Sequence, residues 1–199
     1  MNRKGNFKKN LVFGIGINDI DVPISTNGKR HKWYSVWQMM LGRCYIDKYN
    51  DRFPKYKDCY VCDDWLKLSG FKKWFDDNYI VGYSLDKDIL IKWNKIYSPE
   101  TCCFVPPEIN NLITKHDSQR GNLPVGVSIN ANNTYSVSVK FYGKTKYFGR
   151  YKTAMEAFMV YKIKKEEHIK DVATKYFSEC KINEKVFNAL LNYSVEVND

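Results

Sequence analysis

Two acidic residues that stand two positions apart are the first feature of this chain that could do chemistry. Asp86 and Asp88 fall in residues 83–91, a segment whose pattern predicts a short strand. Carboxylate oxygens bind hard divalent cations such as Mg²⁺, and a carboxylate can also act as a weak base. The same two residues could equally be a solvated pair on an edge strand. Their spacing alone therefore leaves both interpretations open.

Histidine and cysteine provide few further candidates for catalysis or metal binding. The chain has only three histidines: His31, His116 and His168. Its six cysteines include a CxxC spacing at Cys59 and Cys62 and an adjacent pair at Cys102 and Cys103. Adjacent cysteines are poorly placed for one tetrahedral ion, so we expect buried, reduced thiols rather than a zinc site.

The overall charge points to a polyanionic partner. The chain has 199 residues, with 32 Lys and Arg against 22 Asp and Glu, and a formal net charge of +10. Aromatic residues make up 16% of it, which favours nucleic acid over a purely charged partner. No stretch approaches the roughly 20 apolar residues of a membrane span, and no apolar signal core follows the basic N-terminus. We therefore expect a soluble, cytoplasmic protein with no membrane partner.

The elements that must position the acidic pair are short. An apolar stripe predicts a helix over 33–45, and a second helix is predicted over about 63–77. Strands over 83–91 and from Cys102 are followed by a helix that begins at Pro107. Residues 1–32 are predicted to be a basic, irregular arm.

The C-terminal part has the clearest pattern. Apolar and polar residues alternate over 135–141, a turn at Tyr142-Gly-Lys follows, and 145–151 is the predicted partner strand. Residues 126–129 predict a third strand. Thr153 and Glu156 form a capping-box pattern that opens a helix, which either runs through to about 177 or breaks on the way. From Lys140 to Lys175 there are ten Lys and Arg against four Asp and Glu, so the charge is concentrated in this module.

This module resembles the plant ethylene-response-factor type of DNA-binding domain over residues 124–177. The resemblance rests on Gly126-Val127, on residues 135–140, and on residues 146–161 with their Phe-Gly-Arg-Tyr-Lys-Thr-Ala-Met-Glu-Ala run. It implies a three-stranded sheet that enters the major groove of duplex DNA. The residues it nominates, together with basic neighbours, are Ser128, Asn130, Ser138, Lys140, Lys144, Thr145, Lys146, Tyr147 and Arg150.

Residues 33–113 resemble a phage HNH homing endonuclease family. The matching segments are 34–45, 61–65, 85–89, 94–102 and Asn110-Asn111. The resemblance implies a ββα module that holds one divalent metal, Mg²⁺ or Mn²⁺, and hydrolyses phosphodiester bonds. Family members often pair this module with an ethylene-response-factor-like domain, as the order here suggests.

The family's site residues are carried over by position. Asp86 matches the metal-binding Asp, Lys87 occupies the place of the usual base His, and an offset of one residue would put Asp88 there instead. Thr101 falls near the loop Asn position, with Asn94 as the alternative, and Asn110 or Asn111 matches the ligand on the helix. The implied set is therefore Asp88, Lys87, Asn94 and Thr101 for catalysis, and Asp86, Asp88 and Asn110 for the metal.

These features predict an α+β protein in which an HNH-like ββα-metal module with N-terminal helices precedes a three-stranded antiparallel sheet packed on one helix. The expected divisions are 1–32, 33–120, 124–177 and a helical tail at 178–199. The expected function is metal-dependent cleavage of double-stranded DNA by a phage-encoded homing endonuclease in a bacterial cell, with no small-molecule cofactor. Since no histidine falls in the motif, the alternative is a DNA-binding or regulatory protein that keeps the scaffold without cutting, and an RNA- or protein-binding factor is a third possibility.

Overall fold

A computed structural model describes residues 11–113, 123–197 and 199, and the fold is α+β as predicted. The chain divides into two compact units, Met1–Phe104 and Val105–Asp199. The helices in the described residues are α1 (Lys32–Tyr45), α2 (Asp47–Arg52), α3 (Asp63–Leu66), α4 (Leu68–Asn78), α5 (Pro107–Ile113), α6 (Ala154–Ser178) and α7 (Glu184–Leu191), with a 3₁₀ turn at Pro54–Tyr56. The strands are β1 (Ser25–Thr26), β2 (Lys29–Arg30), β3 (Tyr60–Val61), β4 (Ser84–Asp86), β5 (Ile96–Tyr97), β6 (Cys103–Val105), β7 (Val127–Ile129), β8 (Tyr135–Phe141) and β9 (Lys144–Tyr151).

The first unit is built around α1, which confirms the helix predicted over 33–45. Trp37, Met40 and Leu41 on its apolar stripe are fully buried. The Trp37 indole nitrogen donates a 2.7 Å hydrogen bond to the Trp65 carbonyl oxygen, so a buried polar group of α1 is satisfied by α3.

The prediction of a single helix over 63–77 is wrong in one respect. The segment forms two helices, α3 and α4, which are separated by Lys67. Lys67 has an extended backbone, and Ile17 pairs with it. The Ile17 amide donates to the Leu66 carbonyl at 2.8 Å, and the Leu68 amide donates to the Ile17 carbonyl at 2.9 Å. Ile17 of the N-terminal segment thus forms hydrogen bonds with the Leu66 carbonyl and the Leu68 amide, which would pair within the helix if the helix were continuous. Four apolar residues of the predicted arm also pack on the core: Val12, Ile15, Ile20 and Ile24.

The segment that carries the acidic pair is connected to two small two-stranded sheets. Strands β3 and β5 pair in parallel, with Tyr60 opposite Ile96 and Val61 opposite Tyr97. Strand β4 pairs with β6, and β4 ends at Asp86. The loop between β4 and β5 is therefore anchored at both ends by strands of the first unit.

The second unit contains the predicted three-stranded antiparallel sheet, in the order β7-β8-β9, packed on α6. Val127, Val137 and Val139 are buried on the helix side of the sheet. The Thr153–Glu156 capping box is present, and α6 runs without a break to Ser178. A further helix, α7, packs on α6.

Helix α5 groups with the second unit, whereas the sequence pattern places it in the 33–120 module. The physical reason is packing, since α5 lies against α6. Across the described residues, no helix combines the length and apolar character that a membrane crossing needs.

Candidate functional site

Asp86 closes a tight turn at the end of β4. Its Oδ1 accepts hydrogen bonds from the backbone amides of Asp88 at 2.7 Å and Ile89 at 2.8 Å. A carboxylate that binds the amides two and three residues ahead is a common turn-forming device of Asp. Burial raises the pKa of Asp86, and the nearby negative charge of Asp88 raises it further.

Lys87 points into the protein from the same turn and is 5% exposed. Its Nζ donates to Asp88 Oδ1 at 2.6 Å and to the Asn94 carbonyl oxygen at 2.7 Å. The Asp88 side chain is 46% exposed. In this arrangement the Lys87 nitrogen acts as a donor to two oxygens, so it is not placed to accept a proton from water.

Asn94 braces the loop that follows the turn. Its Nδ2 donates to the Lys87 carbonyl at 2.8 Å and to the Ile96 carbonyl at 2.6 Å, and its Oδ1 accepts from the Ile96 amide at 3.2 Å. Lys87 and Asn94 therefore form two hydrogen bonds, in each of which the side chain of one residue donates to the backbone carbonyl of the other. Of the two candidates for the loop position, Asn94 is the one whose amide joins the two ends of the loop.

Thr101 supports the far end of the same loop, and Asn110 belongs to the other unit. The Thr101 hydroxyl donates to the Ile96 carbonyl at 2.8 Å and lies 3.2 Å from the Ser98 hydroxyl, so it supports the end of β5. Asn110 and Asn111 lie on α5 in the second unit, while Asp86 and Asp88 belong to the first. The first unit by itself therefore brings together Asp86, Lys87, Asp88 and Asn94, and Thr101 contacts the same loop through Ile96.

An arginine that the sequence interpretation did not nominate lies near this turn. The Arg43 guanidinium sits 4.9 Å from the centre of the Tyr56 ring, and its Nε has no hydrogen-bond partner among the described residues. Burial raises the pKa of Tyr56, and the charges of Asp86 and Asp88 also act on that tyrosine. The sequence did contain a signal for Arg43, because this basic residue stands between Leu41 and Cys44, two positions of the buried stripe of α1.

In the described part of the chain, the two histidines have partners other than the Asp86–Asp88 turn. His31 precedes α1, where its Nε2 lies 3.1 Å from the Thr26 hydroxyl. His168 is buried on α6, between the rings of Phe141 and Tyr142. Burial lowers its pKa, and the charge of Lys165 lowers it further. His116 lies outside the described residues.

The cysteines are buried thiols in large part. Cys44, Cys59, Cys102 and Cys103 are buried. Burial raises the pKa of Cys44 and of Cys102 to about 12, which favours neutral thiols over metal-binding thiolates. Over 11–113, 123–197 and 199, no group of three or more His, Cys, Asp and Glu side chains is arranged to hold a metal ion.

The second candidate site is the face of the sheet that α6 does not cover. The strand register pairs Ser136 with Ser128 and Arg150. It also pairs Ser138 with Tyr147, and Lys140 with Thr145. Residues that oppose each other across a sheet share a face. This open face therefore carries the residues Ser128, Ser136, Ser138, Lys140, Thr145, Tyr147 and Arg150, all exposed except the half-buried Ser136.

A β-bulge decides which basic residues reach this face. Gly149 pairs with Val137 and Tyr147 with Ser138, so Phe148 is an extra residue in β9. Beyond the bulge, Lys146 pairs with Val139 and Lys144 with Phe141. The register thus assigns both lysines to the side of the sheet that faces α6, where they are exposed at its margin.

Asn130 organises the turn between β7 and β8. Its Nδ2 donates to the Thr134 carbonyl at 3.1 Å and to the Thr134 hydroxyl oxygen at 3.0 Å. Its Oδ1 accepts from the Ser136 hydroxyl at 3.2 Å. Asn130 therefore holds the edge of the open face.

Comparisons of this chain with family models, with curated proteins and with solved structures found no match.

Proposed function

We propose that the chain binds duplex DNA through the open face of its three-stranded sheet. The observation that carries the proposal is the register of β8 and β9, which aligns hydroxyl, amine, guanidinium and phenol groups on one exposed face. On the opposite face, Val127, Val137 and Val139 are buried beneath α6, so the polar residues of the open face have no role in the core.

The chemistry of this face suits DNA. Lys140 and Arg150 can neutralise phosphates, and Ser and Thr hydroxyls can bond to phosphates or to base edges. The major groove, about 12 Å wide, admits a small β-sheet. Tyr147 is 57% exposed and adds an aromatic surface with a polar tip.

The test compares two double variants that lose the same charge. Lys140→Gln with Arg150→Gln removes both cations of the open face, whereas Lys170→Gln with Lys185→Gln removes two exposed lysines of α6 and α7. Anisotropy titration of a labelled duplex at several salt concentrations should give a loss of about tenfold or more, and a shallower salt dependence, for the first pair. The control pair should change affinity by less than about twofold. Equal losses in both would show that only net charge matters and would contradict the proposal.

A second candidate function is metal-dependent hydrolysis of phosphodiester bonds at the Asp86–Asp88 turn. The observation that favours it is the half-buried carboxylate of Asp86, whose pKa is raised by partial burial and by a second carboxylate two residues away. A divalent cation relieves such repulsion, and carboxylate oxygens are ligands that Mg²⁺ and Mn²⁺ accept. Asp86 and Asp88 fit such an ion and would hold it, and the ion would stabilise negative charge on the leaving oxygen.

The residues of the turn have distinct parts in this second candidate. Asp86 is oriented by two backbone amides, and Lys87 holds one oxygen of Asp88. With Lys87 engaged as a donor, the half-exposed carboxylate of Asp88 is the group of this turn that can take a proton from water. A carboxylate is a weak base at neutral pH, so slow cutting is expected.

A plasmid-nicking assay with Mg²⁺ or Mn²⁺ separates the two functions. Asp86→Asn is the informative variant because its amide oxygen can still accept the two backbone hydrogen bonds. Metal-dependent nicking by the wild type that is lost in Asp86→Asn and Asp88→Asn would support cleavage at the turn. Nicking that survives both changes would exclude the turn. Duplex binding without nicking would leave a DNA-binding protein that does not cut.

A further inference from the structure

Trp93 combines two properties that are costly in a folded protein. Its side chain is 53% exposed, and its backbone has a φ of +67°. Exposing an indole leaves a large apolar surface in water, and a bulky side chain at positive φ is disfavoured by steric contact with its own backbone. Glycine would avoid both costs at this position. Strain of this kind, kept at a residue whose large apolar side chain is half exposed, points to a function.

The loop presents Trp93 from a fixed position. The next residue, Asn94, is tied by its side chain to the carbonyls of Lys87 and Ile96, and its amide donates to the Ile91 carbonyl at 3.2 Å. Trp93 therefore projects from the same braced loop that holds Lys87 of the carboxylate turn. Ile91, two residues before it, is 52% exposed.

One lysine is in contact with the indole, and a second follows two residues later in the same loop. The Lys92 ammonium lies 5.1 Å from the centre of the Trp93 ring. Lys95 is exposed, and its ammonium donates to the Lys57 backbone carbonyl at 2.9 Å. An apolar ring in contact with one cation, with a second cation two residues away in sequence, complements a nucleobase flanked by phosphates.

We propose that Trp93 is a wedge that stacks on a base of duplex DNA beside the Asp86–Asp88 turn, while Lys92 and Lys95 contact the neighbouring phosphates. This inference rests on the proposed binding of duplex DNA. Apolar and aromatic side chains inserted at a base step partly unstack it and kink the duplex. Trp93 would thereby set where the first unit meets the strand.

The five tryptophans of the chain allow a direct test. Trp37 and Trp65 are completely buried, Trp33 and Trp74 are half-buried, and Trp93 is the most exposed. Acrylamide quenching of tryptophan fluorescence should therefore report mainly Trp93. Adding duplex DNA should lower the quenching of the wild type and leave that of Trp93→Phe nearly unchanged.

The decisive variant is Trp93→Gly, because glycine suits the observed backbone. Its Tm should equal or exceed that of the wild type, while its affinity for duplex DNA should fall about tenfold, the range expected for the loss of one stacked base. A duplex with 2-aminopurine at the contacted step should brighten with the wild type and not with Trp93→Gly. Val81→Gly, which removes another exposed apolar side chain (88% exposed), is the matched control and should leave affinity unchanged.

Three results would overturn the inference. A lower Tm in Trp93→Gly would show that the indole serves the fold. Unchanged affinity and 2-aminopurine signal in that variant, with binding still lost in the sheet double variant, would refute the wedge and leave the proposed function standing. If the wild type does not bind duplex DNA, both the wedge and the proposed function are refuted.

Discussion

Replacing Lys87 with Met tests whether the carboxylate turn depends on its buried ammonium. Met keeps most of the length and apolar stem of the lysine but removes its charge and its donors. The change takes away the 2.6 Å ion pair with Asp88 and the 2.7 Å hydrogen bond to the Asn94 carbonyl. It also removes a positive charge that lowers the pKa of Asp86, so that pKa should rise further.

The magnitude follows from the exposure of each partner. A hydrogen bond from a charged donor within the protein contributes about 1.5–3 kcal/mol. The Asp88 side chain is 46% exposed, so the ion pair itself adds only about 0.2–1 kcal/mol. Relief from burying an ammonium offsets part of this sum. We expect Lys87→Met to lower the free energy of unfolding by about 2 kcal/mol.

Tryptophan fluorescence in urea is the suitable assay, because all five tryptophans lie in the first unit. Lys72→Met is the matched control: the Lys72–Asp76 pair is on the surface, with side chains 28% and 52% exposed, and its loss should cost under about 0.5 kcal/mol. Mg²⁺ should stabilise Lys87→Met more than the wild type, since two carboxylates are left without an internal cation. Equal effects of the two substitutions, or a Lys87→Met protein as stable as the wild type, would refute the reasoning.

Three other substitutions test separate parts of the structure. Gly126→Ala should destabilise the second unit by about 3 kcal/mol or more, measured by calorimetry, because φ is +72° and the added Cβ would overlap the Tyr161 ring. Burial lowers the pKa of Lys165 to about 8 from 10.5. The unfolded chain therefore binds the extra proton between these values, and stability should rise with pH across that window. Lys165→Met should remove this rise and add up to about 3 kcal/mol near pH 7, as judged by urea midpoints. Asn94→Ala loses bonds to Lys87 and Ile96 and should cost about 2–3 kcal/mol by fluorescence, whereas a change below about 0.5 kcal/mol would show that the loop does not need its brace.

Local patterns carried much of the prediction. The alternation of β8 and the Thr153–Glu156 capping box were both readable because each depends on residues a few positions apart. The stripe of α1 was readable for the same reason. The break at Lys67 was not, since it depends on Ile17, fifty positions earlier, supplying the backbone hydrogen bonds.

The candidate site was predicted in part. Asp86 and Asp88 were identified by type and spacing, but the sequence left open whether Asn94 or Thr101 braces the loop. It also gave no sign that Trp93 adopts a positive φ, because tryptophan does not favour that conformation and the sequence does not show how the loop around it is anchored.

The sequence by itself determined the α+β class, the sheet-and-helix module and the position of the acidic pair, because periodicity, caps and residue chemistry are local properties. The strand predicted over 83–91 is wrong beyond Asp86, where β4 ends and a turn follows. Only the tertiary structure decided that Lys87 turns inward to Asp88 and the Asn94 carbonyl. It also decided that one bulge at Phe148 keeps Arg150 on the open face and assigns Lys144 and Lys146 to the other. Both outcomes depend on contacts between separate strands and loops, and a single inserted residue reverses the face of every side chain beyond it.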